Sequence, residues 1–312
     1  MTKPPVPPPH DGRFGPPSHD GPFGPPPLGP PSFEQAQPTG AVPAMPPPTG
    51  APWGSPPPPP GAFGPPPSRQ RPWWGLGDVL LALPVIILTT IVATVVWAIV
   101  AAISGTLDLG GLASGDDTEL PASLFAASLV GQQLGQGVWP WIVSKWKGRG
   151  MRLDWGWAFE WRDLWIGPLT GLAALVLAVV VGALASTLVG GDEVSNTSFL
   201  DDAEGTLSYW VLIAGVAIGA PLTEELLFRG LILRALEKRA GSVVAIIGST
   251  IAFTLPHYIS ASPAELVVLL ASIGSVGLVF AIVAVRTRRL APVIIAHVLF
   301  NGLTVVQLLL GS

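Results

Sequence analysis

"SYWVLIAGVAIGAPLTEELLFRGLILRALEKR", residues 208–239, is an apolar run that carries two adjacent carboxylates, Glu224 and Glu225, and a guanidinium, Arg229, near its middle. A helix crosses the hydrocarbon core of a bilayer with roughly 20 apolar residues. At about 1.5 Å per residue this run overshoots that core if straight, so a tilt, or a kink near Gly219 and Pro221, is expected. A charge at the centre of a membrane helix costs roughly 2.5–3.5 kcal/mol on insertion scales, so charges that persist there face an interior cavity and usually do something.

The rest of the chain fits a membrane protein. Its mean hydropathy is +0.54 and only 12% of its 312 residues are charged, which is too apolar for a soluble domain of this length. There is no cysteine, which excludes disulfides, thiolate metal sites and a cysteine nucleophile. The net charge of −4 offers no positive field for nucleic acid, so no nucleic-acid partner is expected. Residues 1–72 hold most of the 36 prolines, in runs such as "GPFGPPPLGPP". That composition reads as a disordered, partly polyproline II tail, solvated or docked on a tail-binding protein. No apolar segment follows a basic start, so it does not read as a signal peptide.

Apolar runs at approximately 79–103, 122–144, 164–189, 208–230, 242–259, 264–285 and 290–310 predict about seven transmembrane helices and an all-α, polytopic membrane bundle. The second run contains Gln132, Gln133 and Gln136 and reads as broken or interior-facing. Breaks without Lys or Arg alternate with basic ones, which carry Lys145, Lys147, Arg149 and Arg152, then Arg234, Lys238 and Arg239, then Arg286, Arg288 and Arg289. The basic breaks are expected on the cytoplasmic side together with the N-terminus, in a multi-pass protein of the cell membrane. Trp155, Trp157, Trp161 and Trp165 predict an interfacial segment. The expected organisation is a tail (1–72), N-terminal transmembrane helices with an interfacial segment (73–163) and a core (164–312).

The polar residues of the apolar part are Glu224, Glu225, Arg229, His257, Glu265, His297 and Asn301. Glu265 follows Ser262 and Pro263 at a helix start and reads as a helix-terminal carboxylate. A turn near Ala240 and Gly241 lies roughly 24 Å along the helix from both Glu224 and His257, which places them at one depth in a hairpin. His297 and Asn301, four residues apart, share one face of the last helix and reach the same band. Glu225 and Arg229, also four apart, can pair, which leaves Glu224 over as a base for water beside an imidazole. The His297/Asn301 pair offers donors to a developing oxyanion. On these residues alone hydrolysis, a proton relay in a transporter and structural interhelical hydrogen bonds all remain open.

"EELLFR" (Glu224, Glu225, Arg229), "FTLPH" (Phe253, His257) and "HVLFN" (His297, Asn301) together resemble the CAAX-protease and bacteriocin-processing (CPBP, Abi) family of intramembrane glutamic endopeptidases, with motifs EExxxR, FxxxH and HxxxN or HxxxD. The resemblance spans roughly residues 164–310. It implies that Glu224 is the general base, that His257 assists it, and that His297 and Asn301 form the oxyanion hole. Glu225, Arg229 and Phe253 would support the site. Members were long described as metalloproteases, whereas the glutamate mechanism implies no metal and no other cofactor. The implied substrate is a membrane-associated or prenylated protein or peptide, met in the lipid bilayer. The alternative from another class is a catalytically inactive membrane regulatory or immunity partner. Pro256 removes a backbone donor beside His257 and is expected to bend the helix there. The sequence has no HExxH, and "IGSVG" around Ser275 is not the rhomboid GxSG pattern, so Ser275 reads as a packing contact.

Overall fold

The computed structural model describes residues 72–106, 121–192, 205–258 and 261–311. The expected disordered tail and most of the acidic breaks lie outside them. The described residues are helical, with no strand among them. The helices are α1 (Leu76–Ile103), α2 (Ala122–Lys147), the short α3 (Met151–Asp154), α4 (Asp163–Val189), α5 (Leu207–Ala214), α6 (Ala220–Glu225), α7 (Leu233–Thr254), α8 (Pro263–Thr287) and α9 (Ala291–Gly311). Five segments are long and apolar enough to cross a membrane, and one of these is the 51-residue run Leu207–His257. Straight, that run would measure roughly 75 Å, over twice the hydrocarbon thickness of about 30 Å. It folds back at Gly241, whose φ of 83° suits a residue without a Cβ. Beyond this turn Ser249 Oγ donates to Phe228 O at 2.9 Å, and the Phe228 and Phe253 rings meet edge to face at 5.4 Å. The fourth span therefore continues past Gly230 to the turn. Arg234, expected in a loop, is instead buried on a helix, donating to Glu237 and to Ala284 O.

Large apolar side chains of α1 such as Leu80, Leu83, Leu88, Ile91 and Ile99 point outward, as lipid-facing residues do. This is an integral membrane protein. Inside lipid there is little hydrophobic drive between helices, so they associate by close packing of small residues. Gly131 and Gly135 of α2 do this against α1: a Cβ on Gly131 would lie 2.7 Å from both Ala93 Cβ and Thr89 O. Gly167 and Gly171 of α4 let it approach Ile295 and Ala296 of α9 in the same way. Gly131→Leu is expected to lower stability by about 1–3 kcal/mol, measured by thermal unfolding in detergent, because the clash is with backbone that cannot rotate away.

The expected basic breaks gather at one end of the bundle, where they are mostly paired. Lys147 meets Asp78 at 2.6 Å, Arg288 meets Glu237 at 2.7 Å, and Arg289 meets Asp163 at 2.7 Å and Glu160 at 3.0 Å. The hydrogen bonds that Arg289 donates to Asp163 hold its guanidinium above its ordinary pKa. Stability linked to that raised pKa is present below the unfolded value and lost only as pH rises through the folded one, so this pair stays charged at any ordinary pH. Trp155 corrects the interfacial expectation. It is fully buried, donates Nε1 to Pro140 O at 3.1 Å and packs on Trp74 with ring centroids 4.7 Å apart. Trp161 and Trp165 remain exposed. Glu265 completes a capping box with Ser262 at the start of α8, and Ser275 turns its hydroxyl back onto Ser272 O.

Candidate active site

Pro221 shapes the helix that carries the two glutamates. In a regular α-helix its N–H would pair with Ala217 O, but proline has none. The helix answers with a π-turn over Gly215–Gly219, in which Ala220 N reaches five residues back to Gly215 O. Val216 O then has no backbone donor at that spacing either, because the fifth residue on is again Pro221. Asn301 Nδ2 of α9 fills that position at 2.9 Å, and Gln133 Nε2 of α2 supports Gly215 O at 2.9 Å. A second π-turn, Leu226–Ile232, follows α6. Glu224 and Glu225 thus sit on one and a half regular turns held between two wide ones. The kink expected near Gly219 and Pro221 takes this form.

Glu225 is completely buried and is held through one carboxylate oxygen, Oε2 having no hydrogen-bond partner among the described residues. Its Oε1 accepts from Arg229 Nη1 at 3.0 Å and from His297 Nδ1 at 2.9 Å. Arg229, also completely buried, donates Nη2 to Gly277 O at 3.0 Å and lies with Cζ 4.2 Å above the Phe253 ring. A Cβ at position 277 would come within 2.9 Å of Phe253 Cδ1, so glycine permits both contacts. The Phe253 ring also touches His257 and His297, with centroids at 5.1 Å and 5.8 Å. It is the apolar floor on which the charged groups are arranged.

Glu224 points the other way, into a cavity of about 300 Å³ that His257, His297 and Asn301 also line. His297 Nε2 lies 3.9 Å from Glu224 Oε2, too long for a direct hydrogen bond and open to a bridging water. With Nδ1 committed to Glu225, neutral His297 offers Nε2 as an acceptor; it donates there only as imidazolium. Pro256 ends the helix in a 3₁₀ turn, Leu255–His257. His257 Nδ1 is fixed by Phe253 O at 2.9 Å, which leaves its Nε2 toward the cavity. Of the two histidines expected at this depth, His297 is the one with a ring nitrogen within 4 Å of Glu224, and His257 lines the same cavity.

Sequence reasoning did not place α2 in this site. Gln132 and Gln136 line the cavity, and Gln136 Oε1 accepts from Thr223, the residue before Glu224, at 3.1 Å. The signal was the three glutamines in an apolar run, which showed an interior face without showing what it faced. α2 itself is unbroken. Among the described residues no group of three His, Asp or Glu side chains is arranged to hold a metal ion.

Residues 206–303, which carry all three motifs, match the family model described as type II CAAX prenyl endopeptidase Rce1-like. In this segment the chain is similar to the CAAX-protease family. No curated protein and no solved structure matches it. The matched segment runs from α5 into α9 and includes both π-turns, the Gly241 hairpin and the charged groups around the cavity. At the level of the family, this match supports a CAAX-protease-like intramembrane endopeptidase.

Proposed function

We propose that this protein hydrolyses a peptide bond of a prenylated, membrane-associated protein with water activated by Glu224. The observation that carries the reading is the division of labour between neighbouring carboxylates: Glu225 is buried and tied through Oε1 to Arg229 and His297, while Glu224 faces the cavity with His297 Nε2 at 3.9 Å. Water between them would give a proton to Glu224 as its oxygen attacks the scissile carbonyl carbon. The negative charge that forms on the carbonyl oxygen would be met by His297, as imidazolium, and by the second amide hydrogen of Asn301. The proton on Glu224 then passes to the departing amine as the C–N bond breaks. His257 borders the cavity with a free Nε2 and would assist by orienting water. The matched family's description, a CAAX prenyl endopeptidase, supplies the substrate class. The clustering of basic residues at the end nearest Trp73 and Trp74 supports a cytoplasmic N-terminus in the cell membrane.

The test is incubation of the purified protein in nanodiscs with a library of membrane-anchored and S-prenylated reporter peptides, products being read by mass spectrometry. Cleavage at one bond of prenylated peptides is expected. Intact peptides throughout, from a well-folded preparation, would favour an inactive membrane partner. The glutamate mechanism needs no metal, so EDTA is expected to change the rate by less than about twofold, whereas a metal-dependent hydrolase would lose its Lewis acid. Loss that zinc alone restores would overturn this.

A further inference from the structure

We propose that Gln136, on a helix outside the segment that matches the family, contacts the substrate by donating its amide Nε2 to a non-scissile backbone carbonyl of the bound peptide. This rests on the endopeptidase reading and adds to it a residue that the three motifs do not contain.

Three observations carry it. First, Gln136 is only 4% exposed, yet borders the cavity into which Glu224 points. A carboxamide held there without function would be an unfavourable choice, since burying a polar group without a full set of partners costs free energy. Second, its orientation is set. The Thr223 hydroxyl lies 3.1 Å from Oε1 and shares its proton with Gly219 O at 2.9 Å. Among the described residues Nε2 has no protein acceptor, so its hydrogens are free toward the cavity. The neighbouring Gln133 is used differently, since it supports the π-turn through Gly215 O.

The third observation is the shortage of other donors. A peptide that enters the cavity for cleavage must be extended, and its carbonyls then lose their helical partners where no bulk water replaces them. The cavity's side-chain donors are largely committed. His297 gives Nδ1 to Glu225, His257 gives Nδ1 to Phe253 O, and Asn301 gives one amide hydrogen to Val216 O. Gln136, with Gln132 one turn earlier on the same wall, holds the uncommitted amide donors. Because Gln136 and Glu224 line the same cavity, the contact lies close to the carboxylate that activates water, and an amide-to-carbonyl bond holds the backbone without reading side chains.

The experiment uses the full-length protein in nanodiscs and a peptide that ends in S-farnesylcysteine followed by three residues. Matched peptides replace one non-scissile amide at a time by an E-alkene, which removes the carbonyl, or by an N-methyl amide, which removes only the N–H. Gln136→Met is expected to raise KM about tenfold with kcat within about twofold, the pattern of an interaction equal in ground and transition states. One alkene peptide is expected to cost the wild type about tenfold and to cost Gln136→Met nothing further, while its N-methyl counterpart shows no such coupling. Gln136→Asn, which keeps the amide but draws it back by one methylene, gives the same reading if Gln136→Met does not fold. Equal alkene penalties in wild type and variant, or a fall in kcat without coupling, would overturn the contact while leaving the protease reading intact. A wild type that cleaves none of these peptides would overturn both.

Discussion

Glu224→Gln is expected to lower kcat by about 10²–10⁴-fold, the usual contribution of a positioned general base, while the protein stays folded and inserted. The substitution keeps the shape of the side chain and its hydrogen-bonding capacity but removes the site that accepts a proton from water. Glu224 has no ion pair closer than the 3.9 Å approach of His297, so little of the fold depends on its charge. Thermal unfolding in detergent should therefore match the wild type within about 0.5 kcal/mol, as for a substitution away from structural contacts. The pairing of a dead enzyme with an unchanged melting curve is the signature to look for. Full activity in this variant would remove Glu224 from the mechanism and return the histidines to consideration as the base.

The next residue is expected to behave in the opposite way. Arg229→Met should destabilise the protein by about 3–5 kcal/mol, because it leaves the Glu225 carboxylate buried without its cation. The same change removes the guanidinium from Gly277 O and from the face of Phe253. Activity should fall as well, since His297 is oriented by the oxygen that Arg229 holds. Replacing both partners, Glu225→Leu with Arg229→Met, should recover part of the lost stability, because no uncompensated charge remains, but not the activity. Denaturant titration of the two single variants and the double variant would show it. Additive losses in the double variant would mean that the pair contributes nothing as a pair. Thus Glu224 and Glu225, adjacent in sequence and identical in chemistry, are separated by experiment into a reactive group and a structural one.

The separation shows how far the sequence reaches. Spacing four residues apart put Arg229 within reach of Glu225 and His297 on one face with Asn301, because helix geometry is local and repeats every 3.6 residues. Hydropathy alone gave the membrane bundle, since backbone groups in lipid must be satisfied within each helix. The turn at Gly241 was legible from the break between two apolar runs, although the helix before it proved longer, because lipid length sets a minimum span and not an end point.

What lay beyond the sequence depends on which faces meet. Depth along the helices put His257 and His297 at the level of Glu224, but depth says nothing of rotation about the helix axis, and packing brought His297 within reach of both glutamates. Trp155 looked like an interfacial anchor because tryptophan favours that zone, and only the contact with Trp74 and Pro140 made it core. Pro221 announced a distortion. That the distortion would be a π-turn whose open carbonyl is filled by Asn301, from a helix 85 residues away in sequence, needed the assembled bundle. The sequence by itself determined an all-α membrane protein with the chemical groups of a CAAX-protease core, because composition and short-range spacing are properties of the chain. The tertiary structure decided which carboxylate is buried against Arg229, which histidine stands beside the other, and that the glutamines of α2 line the cavity, because hydrogen bonds between helices are fixed by rotation and close approach, and neither is written in the order of residues.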